Sequence, residues 1–254
     1  MRAGRPVGIV CALAEELTAL EAAIAAKRAT RHAGIRFISG RIDGVRVVLA
    51  EGGVGKVGAA LLATLLVERF RCRALVNSGV AGGLDPKAGI GDILIADRLA
   101  QHDFGAVTDR GWIYFRPGSP PWPGPRQDVF FRMPSDLRAR LKRALAGVHL
   151  PPLSSAVTGR TRRPRIRFGT VVTGDQFVSS AIMGRRLRRD FAARATEMEG
   201  AAVAQVAERF GLPCIVVRAL SDRADHHSIR HIRAFLEETG RAAAMVVVRI
   251  VRAI

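Results

Sequence analysis

The residues best suited to acid–base chemistry cluster in TEMEGAAVAQVAERFGLPCIVVRALSDRAD, residues 196–225. Glu197 and Glu199 flank Met198, and small or apolar residues follow at helical spacing (Ala201, Ala202, Ala204, Val206, Ala207, Phe210), so both acids are expected in the first turn of a helix. Gly211-Leu212-Pro213 ends that helix, and 214–220 is a β-branched, apolar run predicted as a strand buried on both faces. Asp222 stands just beyond its carboxyl end, where open α/β sheets bind ligands. Arg218, inside the apolar run, needs an acid beside it, and Glu197 can be that partner. Taken singly, Asp222 also reads as a turn cap, Glu16 as a solvated first-turn residue, and Met198 and Phe177 as core.

The surrounding chain predicts the elements that position these groups. Residues 6–13 read as a first buried strand and 14–26 as a helix with Leu17, Leu20 and Ile24 on one face, placing Glu15 and Glu16 at the turn between them. Alternating runs at 35–42 and 45–50 flank Asp43-Gly44, a hairpin signal. Gly52-Gly53-Val54-Gly55-Lys56 leads into a helix over 57–70 and superficially resembles a phosphate loop. Ala50 and Val57 occupy the places where a Walker loop needs Gly and Ser or Thr, so a tight packing turn is expected instead. A second glycine cluster, 77–83, follows a strand at 74–76; there Val80, Ala81 and Gly82 can bring backbone close to a ligand or simply permit a turn.

After a strand at 92–96, the irregular segment 101–134 holds Trp112, Tyr114, Trp122 and PGSPPWPGP, and is expected to wall a pocket, contact a second subunit or pack on its own domain. A helix follows at 135–145, then an arginine-rich loop. A strand at 167–172 runs out into Thr173-Gly174-Asp175-Gln176-Phe177-Val178, and a last helix spans 229–251 with a break near Gly240. Strands alternating with helices, without repeat or linker, predict one domain over 1–254: a three-layer α/β/α sandwich with a central mixed sheet and an irregular insertion at about 104–134.

The net charge of +18 raises nucleic acid or an anionic surface as a partner. Lysine occurs only at 27, 56, 87 and 142, and arginine is spread along the chain with clusters at Arg160, Arg162, Arg163, Arg165, Arg167 and at Arg185, Arg186, Arg188, Arg189. No recognition motif or aromatic-interleaved basic strand accompanies them, so no nucleic-acid partner is expected. Cys11, Cys72 and Cys214 form no even disulfide framework, the N-terminus lacks a cleavage signal, and no apolar run approaches the roughly 18 residues of a membrane span. A cytoplasmic protein is expected. His226 and His227 are adjacent and splay apart, His231 lies in a predicted helix, and His102-Asp103 reads as a local hydrogen bond, so neither a metal nor an organic cofactor is called for.

Four stretches in consistent order, GIVCALAEELTAL, NSGVAGGL, GTVVTGDQFV and TEMEGAAVAQVAERFGLPCIVVRALSD, resemble the nucleoside phosphorylase/nucleosidase superfamily, most closely its 5'-methylthioadenosine/S-adenosylhomocysteine nucleosidases. The resemblance covers most of the chain outside about 104–167. It implies that Asp222 protonates purine N7 and that Glu16, helped by Arg218, orients and deprotonates the attacking water. It further implies that Met198 and Glu199 hold the ribose, that Phe177 stacks on the base and that the Val178 backbone bonds its edge. The implied reaction is hydrolysis of the N-glycosidic bond of a purine nucleoside by a homodimer. Phosphorolysis by a purine nucleoside phosphorylase is the enzymatic alternative, and a basic nucleic-acid or anionic-surface binder that retains the fold is the other. The hexameric phosphorylase branch places an Arg and a Ser where this chain has Asn77 and Val80, which favours water over phosphate; many nucleosidases also keep that Ser.

Overall fold

The structure is a computed structural model describing residues 4–120, 128–154, 161–224 and 228–254, with side chains of 228–237 left out. Trp122, Arg160, His226, His227 and the side chain of His231 therefore lie outside the described residues. In chain order the elements are β1 (Val7–Cys11), α1 (Ala14–Ala22), β2 (Ala25–His32), β3 (Ile35–Ile42), β4 (Val45–Glu51), α2 (Lys56–Glu68), β5 (Ala74–Gly83), β6 (Ile93–Gln101), β7 (Gly105–Thr108) and β8 (Gly111–Tyr114). They continue with β9 (Phe131–Arg132), α3 (Ser135–Leu145), β10 (Ile166–Thr173), α4 (Ala181–Phe191), β11 (Ala193–Glu197), α5 (Gly200–Arg209), β12 (Cys214–Asp222) and α6 (Ser228–Ala253).

The sheet runs β11-β10-β6-β12-β5-β1-β4-β3-β2 and is mixed: β12 lies parallel to β5 but antiparallel to β6. One half rolls closed, because Ala195 and Thr196 of β11 also pair with Gly83 and Gly82 of β5. This closure brings the carboxyl ends of β5, β10, β11 and β12 around one point. Helices cover both faces. On one, Leu17, Leu141, Val246 and Ile250 of α1, α3 and α6 pack on Val7, Ile9 and Val76. On the other, Leu62 and Leu66 of α2 and Ala202, Val203 and Ala207 of α5 pack on Val10 and Leu75. Both faces of β1 are thus apolar and all five of its residues are buried.

Several expectations are corrected. The first helix stops at Ala22 and Ala25–His32 is an edge strand, unmarked in the sequence because nearly all of it is exposed and basic or small. The glycines at 79–83 lie inside β5 rather than in a turn after it. The segment 101–134 contains the β7–β8 hairpin and β9; Trp112 stacks on Tyr114 at 6.1 Å, and Tyr114 packs on Phe191 of α4 at 4.4 Å, so both rings lie on their own chain. The helix α6 continues through Gly240. Glu197 closes β11 and Glu199 stands at the start of α5, so neither acid lies in a helical first turn.

Candidate active site

The strand ends enclose a cleft of about 640 Å³, part of it open to solvent, lined by Ala12, Leu13, Glu16, Val54, Val80, Ala81, Gly82, Gln176, Phe177, Val178, Thr196, Glu197, Met198, Glu199, Ser221 and Asp222. Of the candidate catalytic and substrate-binding residues read from the sequence, all line it except Arg218.

Glu16 occupies the third position of α1 and folds back on its own helix start. Its Oε2 accepts from the backbone N–H of Ala12 (3.0 Å) and Leu13 (3.2 Å), as the acidic half of a capping box does. Its Oε1 accepts from Val80 N–H across the sheet at 3.1 Å. Burial raises its pKa and outweighs the opposing Arg218 charge and the three N–H donors. A buried carboxylate poised upward in this way suits a general base better than a fully stabilised one.

Arg218, 1% exposed, lies behind the cleft and not in it. Its Nη2 donates to Glu197, to Asn77 Oδ1 at 2.5 Å and to Glu199 Oε2 at 3.3 Å, so Glu197 is its principal ionic partner and no hydrogen bond to Glu16 is formed. The guanidinium passes Gly79, its register neighbour on β5; a Cβ there would lie 2.1 Å from Nη1 and 2.9 Å from Glu16 Oε1. Only glycine lets the cation and the Glu16 carboxylate converge at this point.

Glu197 is the most fully engaged acid. Besides Arg218 it accepts from the Thr173 hydroxyl, from Glu199 N–H at 3.0 Å and from Gly200 N–H at 2.7 Å, while Thr173 Oγ1 accepts from Ala201 N–H at 2.8 Å. It therefore anchors the N-terminus of α5 from the preceding strand, where the helix dipole favours a negative charge. Glu199 is less well supplied: Oε1 accepts from Gly55 N–H at 2.9 Å and Oε2 from Arg218. Burial, added to repulsion from Glu197 and Glu16, raises its pKa to about 7 against the pull of Arg218 and Gly55.

The glycine-rich turn before α2 thus has a function unlike that of a phosphate loop. Gly55, at φ 103°, points its N–H at Glu199, and Lys56 is consumed by Asp103 (2.7 Å) and Asp175 (3.7 Å). Lys56 N–H also binds Asp175 Oδ1 at 2.8 Å, tying this turn to the segment carrying Phe177.

Asp222 ends β12 and is nearly buried. Its Oδ1 accepts from Ala224 N–H at 2.6 Å, and its Oδ2 lies 2.6 Å from the Ser221 hydroxyl, which is also 3.3 Å from Ala81 O. A hydroxyl has one hydrogen, so Ser221 can donate to an ionised Asp222 or turn toward Ala81 O and accept from a protonated one. The pair accommodates both protonation states. Phe177 is half exposed at the mouth, whereas Val178 is buried among Leu84, Val172 and Leu187, which fixes its backbone. Thr173 and Ser221 were not anticipated as partners, being neutral and unremarkable in sequence, and Asn77 was noted only for the absence of an Arg; only the buried Arg218 signalled that acceptors had to gather there. Among the described residues no group of three His, Cys, Asp or Glu is arranged to hold a metal.

Residues 6–252 match the sequence model of the phosphorylase superfamily. The chain belongs to this superfamily. It is 43% identical over 244 residues to the 5'-methylthioadenosine/S-adenosylhomocysteine nucleosidase of Mycobacterium tuberculosis (strain CDC 1551 / Oshkosh), covering 96% of each chain. A solved Streptococcus pneumoniae nucleosidase of the same name, bound to the transition-state inhibitor MT-ImmA, superposes with TM-score 0.80 at 31% identity over 98% of this chain and 99% of its own. Futalosine hydrolase of Helicobacter pylori strain 26695 superposes with TM-score 0.81 at 28% identity, covering 100% of both chains. The cleft is acidic: among the described residues Glu16, Glu197, Glu199 and Asp222 line it and no Arg, Lys or His does.

Proposed function

We propose that this protein is an N-glycosyl hydrolase that cleaves 5'-methylthioadenosine and S-adenosylhomocysteine to adenine and the 5-substituted ribose. The single observation that carries this is the cleft's charge. No Arg, Lys or His lines it among the described residues, and the one cation behind it, Arg218, is taken up by Glu197, Glu199 and Asn77, so the Arg or donor cluster that a phosphate dianion calls for is missing, whereas the carboxylates suit a sugar that becomes positive as its bond to the purine breaks. Asn77, where a phosphate-binding Arg would stand, is buried with its amide donating to Val10 O and its carbonyl accepting from Arg218. The relatives' names supply the substrate pair.

Asp222 acts as the acid toward purine N7, with Ser221 turning as the proton leaves. Glu16 takes a proton from water. Glu199 accepts the ribose hydroxyls beside Met198, and Phe177 covers the base, whose edge meets the Val178 backbone. Arg218 is a positioning residue: it sets the Glu197–Glu199 pair and does not reach the reacting atoms. Incubation of the purified protein with 5'-methylthioadenosine in phosphate-free buffer should release adenine; release only after phosphate is added would replace hydrolysis with phosphorolysis.

We further propose a homodimer seated on exposed apolar side chains, Val54 of the cleft lining together with Val57 and Leu61 of α2 and Ile182 of α4. Three free cysteines support a reducing, cytoplasmic setting, and the proposed substrates support a part in methionine salvage. Among the described residues no helix is long and apolar enough to cross a membrane.

A further inference from the structure

A second concavity, sharing no residue with the cleft, lies where β6, β9, β10, β11 and α3 meet, and arginines from four different elements converge on it: Arg98, Arg132, Arg138 and Arg194. Two β-bulges build it. Opposite the Gly169-Thr170 step of β10 the pairing with β6 leaves Asp97 over, and opposite the next step, Thr170-Val171, the pairing with β11 leaves Arg194 over. Bulges redirect the extra side chain, and both of these line the groove.

The Arg194 side chain lies across Gly169, so closely that a Cβ there would come within 2.3 Å of its Cδ. Next to it Thr170, 1% exposed, has a hydroxyl with no hydrogen-bond partner, a cost that folded proteins rarely leave standing without use. Arg138 binds Asp97 at 3.0 Å, Arg132 binds Asp128 at 2.5 Å, and Arg194 is 3.6 Å from Asp85. Arg98 has only a ring contact, 5.1 Å over Phe130, and Lys142 lies 5.9 Å over the ring of Phe168, which lines the groove. Among the described residues neither has an acid partner, so five cations face three carboxylates.

We propose that this groove is a separate binding site for a small phosphate-bearing anion of at least two negative charges, held by Arg98 and Arg194 with the Thr170 hydroxyl donating beneath them. Guanidinium groups offer the paired N–H geometry that phosphate oxygens match. The spare donors of the already paired Arg132 and Arg138 need not give up their aspartates to join. The site is independent of the hydrolytic assignment of the cleft, since nothing in it touches Glu16, Glu199 or Asp222.

The test is calorimetric titration of the full chain at low salt with inorganic pyrophosphate and, in a second arm, ADP. One saturable site per chain is expected, weakened by added salt and unchanged when the cleft is first filled with adenine. Arg98→Ala and Arg194→Ala should each weaken binding about tenfold or more while leaving adenine release unchanged, because both side chains are partly exposed and outside the catalytic cleft. Thr170→Val, which keeps the side-chain shape, should weaken it by a smaller factor. Stronger binding of ADP would assign the phosphate to a nucleotide, and equal binding would assign it to a free anion; both outcomes support the site. Absence of a saturable signal with either probe, affinity unchanged in both arginine variants, or displacement by adenine would overturn it. The readout is binding heat, so failure here is separable from failure of the hydrolase assignment.

Discussion

Asp222→Asn is the perturbation that tests the chemistry most directly, because the structure predicts that it removes a proton without disturbing the fold. The amide oxygen can keep the 2.6 Å bond from Ala224 N–H. The amide nitrogen then faces Ser221 Oγ, and the hydroxyl turns its hydrogen to Ala81 O, already 3.3 Å away. No buried donor or acceptor is stranded, so stability should change by no more than about 1 kcal/mol. Loss of the general acid should lower kcat by about 10²–10⁴-fold, roughly 3–5 kcal/mol of barrier, with KM little changed because the contacts proposed for Glu199 and Phe177 are untouched. The assay is adenine release from 5'-methylthioadenosine alongside hydrolysis of a nitrophenyl riboside, whose leaving group departs without a proton. The variant should lose activity on the nucleoside and largely keep it on the nitrophenyl riboside. Retention of most kcat on the nucleoside, or an equal loss on both substrates, would refute Asp222 as the acid.

Glu16→Gln should lower kcat by a similar order while leaving adenine affinity unchanged in a binding titration, since the amide retains shape but cannot take a proton from water; weaker adenine binding instead would make Glu16 a base-binding residue. Glu199, raised to about 7 by burial, is proposed to accept both ribose hydroxyls, which calls for its ionised form. As pH falls through about 7 it gains a proton, so KM should rise on the acid side, and Glu199→Gln should have a high KM without that acid limb; an identical KM–pH profile in the variant counts against the assignment. Arg218→Met strands Glu197 and Glu199 without their cation and should destabilise by about 3–5 kcal/mol in urea unfolding near neutral pH. Protonation of the orphaned acids relieves this, so the deficit relative to the unsubstituted protein should shrink as pH is lowered, and a pH-independent deficit would show that packing alone was lost.

What could be read in the sequence follows from how strongly each residue constrained its surroundings. The run CIVVRALSD could only be a buried strand, so the place of Asp222 was legible, and an Arg within it demanded an acid, which Glu197 supplies. The same acids misled about the start of α5. Acid at a helix N-terminus is the usual pattern, and Glu197 does satisfy Gly200 N–H, but it does so from the end of β11, outside the helix. The helix α4 was hidden by Arg185, Arg186, Arg188 and Arg189, although Met183, Leu187 and Phe191 recur at the four-residue spacing of one face. The place of Glu16 in the cleft was legible only through the family resemblance: as the third residue of a helix it looks solvated, and Val80 from β5 together with the packing of α6 on α1 takes it out of water. Asn77 and Thr173 contribute through neutral groups whose partners are fixed by strand register, a quantity that local sequence does not carry.

Four carboxylates around one cleft would be untenable if all were charged and equally solvated, and the donors are distributed unevenly enough to separate them. Glu197 receives Arg218, a hydroxyl and two backbone N–H groups; Glu16 receives three N–H groups with the cation at longer range; Glu199 receives one N–H and a 3.3 Å share of Arg218. The least supplied of these three carries the pKa near neutrality. The electrostatic arrangement therefore links rate to the choice of nucleophile. On the proposed mechanism the ionised carboxylates stabilise the sugar as it becomes cationic and favour neutral water over phosphate beneath it, with Glu16 as the base proposed to activate that water. A cation introduced at the cleft wall, as in Val80→Arg, should then cost hydrolysis in proportion to the potential it cancels, even where adenine still binds.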